Sequence, residues 1–314
     1  MNEDLKKVKR ILKDNSNEIA FLVGNGINLF GESNGLSWEN LLKKLWKDTL
    51  NEDVKKIPRR GISYTEIFDI LEIINGKDGK GGGNSENMLQ NRVVESLKEW
   101  EPKGHHKKFI NFAKNNNIPV LTTNFDETLK RAIEDGDIKI FRTQKKGFTD
   151  YYPWDSYYGA KKFDNPLNGF GIWHINGMIK YKRSIRMGLN HYIGAIRHAQ
   201  KLINGDNEEN RLFSGDSKKN VWKGSKTWLQ IIFYKHIFIF GLGLDEREIF
   251  LRWLLITRAK YFKKFPQMKR KGWYCYAKED KEIMNDGKKF FLKKVGIEPV
   301  CVEKYCDIYE KLWE

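Results

Sequence analysis

The sequence predicts an α/β protein built on a doubly wound, mostly parallel, Rossmann-like sheet with an inserted helical module. Two observations carry this prediction. Short apolar runs recur along the chain, and segments with helical periodicity separate them. Since these runs are apolar at successive positions, they are typical of strands buried on both faces, as in a parallel sheet covered by helices.

The candidate strands are spread over the whole chain. They are Ile19 to Val23, Pro119 to Thr123, Ile138 to Phe141, Ile172 to Ile175, Ile237 to Gly241, Trp273 to Ala277 and Pro299 to Val302. Later helices are predicted at Glu127 to Glu134, Tyr192 to Ile203, Val221 to Phe233, and from Asp245 to about Lys260.

Helical periodicity also fills the long stretch between the first two candidate strands. The predicted helices there are Trp38 to Thr49, Thr65 to Ile74, Met88 to Trp100 and His105 to Asn115. A βα unit does not need so much chain. We therefore predict one domain, residues 1–314, with a core at 17–30 and 118–314 and a helical insertion at 31–117.

Two polar segments are predicted to be loops. Gly76 to Asn84 is rich in glycine and offers nothing to bury, and Asn204 to Lys219 joins two predicted helices. A phosphate-binding role for the first segment is disfavoured, because it follows no strand and lacks the GK[ST] ending of a P-loop.

Composition favours a folded chain in a reducing compartment. Apolar residues make up 40% of the 314 residues, enough to form a core. The three cysteines, Cys275, Cys301 and Cys306, form no CxxC pair, which argues against a disulfide framework and a structural zinc. The best apolar stretch, 228–244, is interrupted by a lysine and a histidine. We expect a cytoplasmic protein without a membrane span.

The formal charge of +16 favours polyanions or an anionic ligand. Between Arg252 and Lys271 there are eight basic residues and no acid. One interpretation is a helix end followed by a solvated loop. The alternative is a docking patch for nucleic acid or an acidic partner subunit, in which Tyr261, Phe262 and Phe265 would stack on bases or else close the core.

Two glycine motifs follow candidate strands. Gly24-Asn25-Gly26-Ile27-Asn28 comes after the first, and Gly241-Leu242-Gly243-Leu244-Asp245 after the fifth. Each is either a simple turn or a place where backbone amides approach a pyrophosphate or a nucleoside. Leu29 stands where a dehydrogenase fingerprint has its third glycine, which disfavours hydride transfer.

Polar side chains follow two further strands. In Leu121-Thr122-Thr123-Asn124-Phe125-Asp126, Asn124 is either a ligand residue at the carboxyl end of the sheet or the cap of the next helix. In Trp173-His174-Ile175-Asn176-Gly177, alternation places His174 and Asn176 on one face of the strand.

In order and spacing, GNGIN, TTNFD, WHINGMI and FGLGLDEREI resemble the motifs that surround NAD in the sirtuin-like superfamily. The resemblance extends over roughly residues 19–260. The segments LSWENLL, SIRMGLNHY and DEREIFLRWLL make it closest to the bacterial sirtuin-like domains of anti-phage defence, which hydrolyse NAD.

The resemblance implies roles for particular residues. Asn124 would hold the ribose and the attacking water, and Asp126 the nicotinamide amide. Asn176 stands where the family usually has histidine, so His174, two residues earlier, is the candidate base or ribose ligand. Further contacts to NAD would come from Gly24 and Gly26 at the pyrophosphate, Gly241 and Gly243 at the adenosine, and Asn25, Asn28 (a serine in sirtuins), Thr123 and Asn176.

Sirtuin deacylases carry a zinc module with two CxxC pairs, beside which the acyl-lysine peptide binds. Because this chain lacks those cysteines, water is the expected acceptor of the ribosyl group. The resemblance thus implies a zinc-free NAD glycohydrolase that depletes NAD in anti-phage defence (abortive infection). We also expect repression through homo- or hetero-oligomerisation or by a co-encoded sensor or regulatory protein. The alternatives are an NAD or ADP-ribose binding module without turnover, a protein deacylase, and a nucleic-acid-binding protein.

Overall fold

A computed structural model of the chain describes residues 2–32, 36–52, 61–76, 88–134, 138–214 and 221–314. Apart from its first residue, the predicted loop Gly76 to Asn84 lies outside these ranges, as does the end of the predicted loop Asn204 to Lys219. Within the described residues, no helix combines the length and apolar character that crossing a membrane requires.

The described strands form one eight-stranded sheet in the order β3-β4-β5-β2-β1-β6-β7-β8. Its strands are β1 (Ile19–Val23), β2 (Val120–Thr122), β3 (Lys139–Arg142), β4 (Ser156–Gly159), β5 (Ile172–His174), β6 (His236–Phe240), β7 (Gly272–Ala277) and β8 (Glu298–Val302). All neighbours from β5 to β8 in this order are parallel, and β4 pairs antiparallel with β3 and β5. The predicted doubly wound, mostly parallel sheet is therefore confirmed.

Helices cover both faces of this sheet. They are α1 (Glu3–Asp14), α2 (Gly26–Leu29), α3 (Trp38–Leu50), α4 (Tyr64–Gly76), α5 (Met88–Leu97), α6 (Gly104–Asn115), α7 (Thr128–Arg131), α8 (Leu189–Asn204), α9 (Leu229–Tyr234), α10 (Ile249–Lys264), α11 (Asp286–Lys294) and α12 (Tyr305–Tyr309). Successive residues of β1 enter opposite core layers: Ala20 and Leu22 one, Phe21 and Val23 the other. This two-sided burial explains why the strand is apolar at every position.

A third hydrophobic cluster lies apart from the two sheet layers. It joins α3, α4 and α5 through residues such as Leu42, Phe68 and Val93. The predicted insertion at 31–117 also includes α6, but Phe109 and Ile110 of that helix pack in a layer of the sheet. Among the described residues, α3 to α5 instead share the third cluster with Ile185 and Met187 of the segment before α8.

Two predictions need correction. The strand predicted at Ile138 to Phe141 is present as β3, but it is a partly exposed edge strand rather than a strand buried between parallel neighbours. It pairs antiparallel with β4, a short strand of sequence Ser-Tyr-Tyr-Gly that was not predicted. The helix predicted from Val221 begins only at Leu229, because residues 223–227 form turns. Gly224 in these turns packs closely against the Trp222 ring, since an added Cβ would lie 2.2 Å from it.

Candidate active site

The topology of the sheet creates a crevice between β1 and β6. From β1 the chain crosses to β2 on one side, and from β6 it crosses to β7 on the other. Ligands of open α/β sheets bind outside the carboxyl ends of the strands at such a switch point. The two glycine motifs of the sequence are the loops that leave β1 and β6 at this place.

These two loops pack directly against each other. The Gly24 N–H donates to Phe240 O at 3.1 Å, and the Gly26 N–H donates to Gly241 O at 2.8 Å. A Cβ on Gly24 would lie 2.3 Å from the Leu242 side chain, and one on Gly26 would lie 2.3 Å from the Tyr309 hydroxyl. Loop packing alone therefore requires both glycines, and their amides are already engaged.

A cavity of about 790 Å³ opens at this crevice. Its size lies in the range of small-molecule sites, roughly 300 to 1,000 Å³. Of the predicted site residues, its lining includes Asn25, Gly26, Thr123, Asn124, Asp126, Asn176, Gly241 and Gly243. Gly24, Asn28 and His174 stand behind the lining rather than in it.

Asn124 is held from three directions. Its N–H donates to Thr122 Oγ1 at 3.1 Å, its side-chain Nδ2 to Gly24 O at 3.4 Å, and its carbonyl accepts from His174 Nδ1 at 2.7 Å. The buried Oδ1 has no partner among the described residues. Asn124 does not cap α7, since that hydrogen bond runs from the Thr128 N–H to Asp126 Oδ1.

His174 lies behind Asn124 and is almost fully buried. Because its Nδ1 donates to a carbonyl, its Nε2 is the unprotonated nitrogen of the neutral ring, and that atom has no partner among the described residues. Burial lowers the pKa of His174, and the hydrogen bond to Asn124 opposes this only in part. The imidazole is therefore neutral near pH 7.

Asp126 ends a buried chain of hydrogen bonds that the sequence did not reveal. Asn28 Nδ2 donates to Asp126 Oδ2 at 2.9 Å, and His106 Nε2 lies 3.0 Å from Asn28 Oδ1. His106 Nδ1 accepts the Lys103 N–H at 3.0 Å, so Nε2 carries the proton and donates to Asn28. Burial, with the neighbouring His105 and Lys103 charges, lowers the pKa of His106 to about 3.

The α3 to α5 cluster supplies an apolar wall next to these polar groups. Leu36, Trp38 and Leu41 line the cavity together with Leu97 and Phe125. The Trp38 and Phe125 rings meet edge to face, with centroids 6.5 Å apart. The cavity therefore combines an apolar, partly aromatic wall with polar side chains such as Asp126.

Glu248 is a further cavity residue that sequence reasoning missed. Its carboxyl group is half-buried just before α10, and burial with the nearby Asp245 carboxylate raises its pKa to about 7. In the sequence it stands in an acidic run with Asp245 and Glu246, so nothing there distinguishes it from a helix-start residue. Its protonation changes in the physiological range.

The described residues contain no cluster of three or more His, Cys, Asp or Glu side chains that would hold a metal ion. The basic segment between Arg252 and Lys271 has mainly structural contacts. Arg258 is buried and donates to backbone carbonyls, and Tyr261, Phe262 and Phe265 are buried in the core. These rings are thus not available for stacking on nucleic-acid bases.

Fold and cavity together define an α/β protein with a cavity of small-molecule size at the switch point of a Rossmann-like sheet. No family model matches the chain, and no curated protein matches it. A solved structure of a Sir2 homologue, a point mutant in complex with ADP-ribose, is similar at 11% identity, with a TM-score of 0.33, over 94% of this chain and 95% of that chain. A similarity at this level carries no information about the ligand or activity of this chain.

Proposed function

We propose that the chain is an NAD glycohydrolase that cleaves the nicotinamide–ribose bond with water to give nicotinamide and ADP-ribose. The observation that carries this proposal is the placement of Asn124 and Asp126 on one loop of the switch-point cavity, with the buried Asn124 Oδ1 left without a partner. The order and spacing of the four sequence motifs support NAD as the substrate.

In the proposed reaction, the water oxygen bonds to the ribose C1′ while the C1′–N bond breaks. The bonding electrons leave with nicotinamide, which becomes neutral, and the water proton is released. Asn124 Oδ1 is the acceptor that orients the ribose hydroxyl and the water. Oriented dipoles of this kind typically contribute about 3 to 4 kcal/mol to transition-state stabilisation.

Asp126 is proposed to hold the nicotinamide amide. Each of its oxygens accepts one hydrogen bond from the chain, from Asn28 or Thr128, and each has a second lone pair for a ligand N–H. Its negative charge also favours the oxocarbenium-like centre that develops at C1′. The apolar wall around Trp38 and Phe125 would contact the nicotinamide ring.

His174 is proposed to act through Asn124, since its Nδ1–H fixes the Asn124 carbonyl and the ring stands behind the cavity lining. Asn176 does line the cavity, and its buried Oδ1 has no partner among the described residues. It is therefore the proposed second ribose ligand.

A second candidate is a module that binds NAD or ADP-ribose without turnover. The position of His174 behind the lining favours it, because no imidazole then reaches the bond to be cleaved. We further propose, on the motif resemblance, a role in NAD depletion during anti-phage defence, with a co-encoded regulator or an oligomer controlling the activity.

The experiment is to incubate the purified chain with NAD and quantify nicotinamide and ADP-ribose by chromatography. Equal amounts of the two products support the glycohydrolase. Binding of NAD without products, in the presence of the co-encoded protein as well, supports the binding module.

A further inference from the structure

The loop after β6, residues 241–245, has every carbonyl group engaged. The donors come from five different places in the fold. They are the Gly26 N–H to Gly241 O at 2.8 Å, the Tyr274 hydroxyl to Leu242 O, Lys288 Nζ to Gly243 O, Arg252 Nη1 to Leu244 O at 3.3 Å and the Glu248 N–H to Asp245 O at 3.2 Å. The loop is thus fixed through its carbonyl groups.

Two N–H groups of the same loop, in contrast to its carbonyl groups, form no hydrogen bond with the chain. The Leu242 and Gly243 N–H groups donate to no acceptor among the described residues, and both residues line the cavity. Gly241 and Leu244 have left-handed backbone, with φ of +67° and +47°. Left-handed residues beside free N–H groups are typical of concave anion sites, and for a leucine this conformation is unfavourable.

Lys288 is the buried cation among the donors. Its side chain leaves α11, is 7% exposed, and donates both to Gly243 O and to Ile283 O, the latter at 2.7 Å. Burial lowers the pKa of Lys288, while the nearby Asp245 and Asp280 charges oppose this shift. A cation here also offsets the Asp245 carboxylate, which would otherwise repel an anion at the loop.

We propose that Lys288 is a positioning residue that holds the loop 241–245 so that the Leu242 and Gly243 N–H groups bind the diphosphate of a nucleotide. Its identification with the diphosphate of NAD rests on the proposed function. The binding chemistry itself applies to any nucleoside diphosphate. The β1 loop offers fewer free donors, because the Gly24 and Gly26 amides already donate to carbonyls, whereas the Asn25 N–H has no acceptor among the described residues.

The test compares Lys288→Met with Lys289→Met, which changes the exposed neighbouring lysine on the same helix. Calorimetry measures the affinities for ADP, ADP-ribose and adenosine. We expect Lys288→Met to weaken ADP and ADP-ribose binding by ~10- to 100-fold, the range for losing charge-assisted hydrogen bonding, and to change adenosine binding by less than ~threefold. If NAD is cleaved, KM rises and kcat stays within about threefold.

Gly243→Ala provides a second variant that should fold, since an added Cβ at Gly243 meets no heavy atom within 4 Å. The methyl group would occupy the space in front of the loop, so ADP affinity should fall by about tenfold. This result is expected even if Lys288→Met does not fold.

Unchanged ADP affinity in Lys288→Met or in Gly243→Ala would overturn the inference. Equal losses of affinity for adenosine and ADP would overturn it too, and so would a wild-type chain that does not bind ADP. A wild-type chain that binds ADP in a Lys288-dependent way but cleaves no NAD would contradict the proposed function and leave the loop assignment supported.

Discussion

At the scale of single residues, Asn124 has the features of a ligand residue rather than of a helix cap. Three of its polar groups are engaged with the chain, and the fourth, Oδ1, is buried at the cavity without a partner. A buried acceptor without a protein partner is satisfied by a donor from a ligand or from water. Because Asn124 also lines the cavity, a ribose hydroxyl or a water molecule there can supply that donor.

We expect Asn124→Ala to lower kcat by about two to four orders of magnitude and to leave the fold intact. Activity and melting temperature are measured on the same preparation. Asn116→Ala, which changes an exposed asparagine at the end of α6, is the control. A loss of about 1 kcal/mol of stability with near-normal turnover would instead mark Asn124 as a purely structural residue.

His174 allows a test that separates positioning from proton transfer. His174→Ala removes the donor to Asn124 O and should lower kcat by ~100-fold or more, with a smaller effect for Asn176→Ala. His174→Asn places an amide N–H near the position of Nδ1, so we expect it to retain activity within about tenfold of wild type. If His174→Asn is as inactive as His174→Ala, the imidazole itself takes part in the reaction.

At the scale of elements, α6 is tied to the site through His106, whose Nε2–H fixes Asn28 and thereby Asp126. A histidine whose pKa falls from 6.5 to about 3 on folding is protonated in the unfolded chain before it is protonated in the folded one. Its stabilising contribution is therefore fully present above pH 6.5. It is lost progressively as the pH falls from 6.5 towards 3.

We expect the free energy of unfolding to drop by roughly 1 to 2 kcal/mol between pH 6.5 and 5 because of this group. His106→Gln keeps an amide donor and an acceptor and does not titrate, so its unfolding free energy should fall less over the same range. Denaturant melts of both proteins at several pH values measure the difference. Parallel pH dependences would show that His106 does not carry this effect.

The elements also show what the sequence could predict. Strands buried on both faces, such as β1 and β6, are apolar at every position and were predicted to within a residue or two. Sequence reasoning missed β4, because its pairing with β3 and β5 is a long-range contact that its sequence Ser-Tyr-Tyr-Gly does not indicate. Lys288 was missed for the same reason, since its carbonyl partner lies 45 residues away.

Loop residues close to a strand end were easier to predict than side chains that support them from a distance. Asn124, Asp126 and Asn176 follow strands at the carboxyl edge of the sheet, and all three line the cavity. Strand alternation placed His174 on the same face as Asn176, but β5 ends at His174, so the two side chains no longer share one environment.

At the scale of the whole molecule, the α3 to α5 cluster closes one wall of the cavity and has a core separate from the sheet. A constitutively active NAD hydrolase would harm its host, so we propose an off state, favoured by a few kcal/mol, that keeps the active fraction near or below about 1%. The α3 to α5 cluster and the segment from Arg252 to Lys271 are the proposed places where a partner or an assembly controls the activity.

We expect the isolated chain to hydrolyse NAD slowly, and a partner, an assembly or a small-molecule trigger to raise the rate by at least ~tenfold. Initial rates are measured against protein concentration and against the co-encoded protein. Full activity in a dilute monomeric sample without additions would contradict the off state and indicate a housekeeping NAD hydrolase.

Hydrolysis at C1′ is tested by NAD turnover in ¹⁸O-labelled water, with product analysis by mass spectrometry for the wild-type chain and Asn124→Ala. We expect equimolar nicotinamide and ADP-ribose, one ¹⁸O atom on the ribose C1′ of each ADP-ribose, and almost no product from the variant. Three results would contradict this mechanism. They are NAD that stays intact under all activating conditions, cleavage at the diphosphate instead of the C1′–N bond, and equal turnover by Asn124→Ala and the wild-type chain.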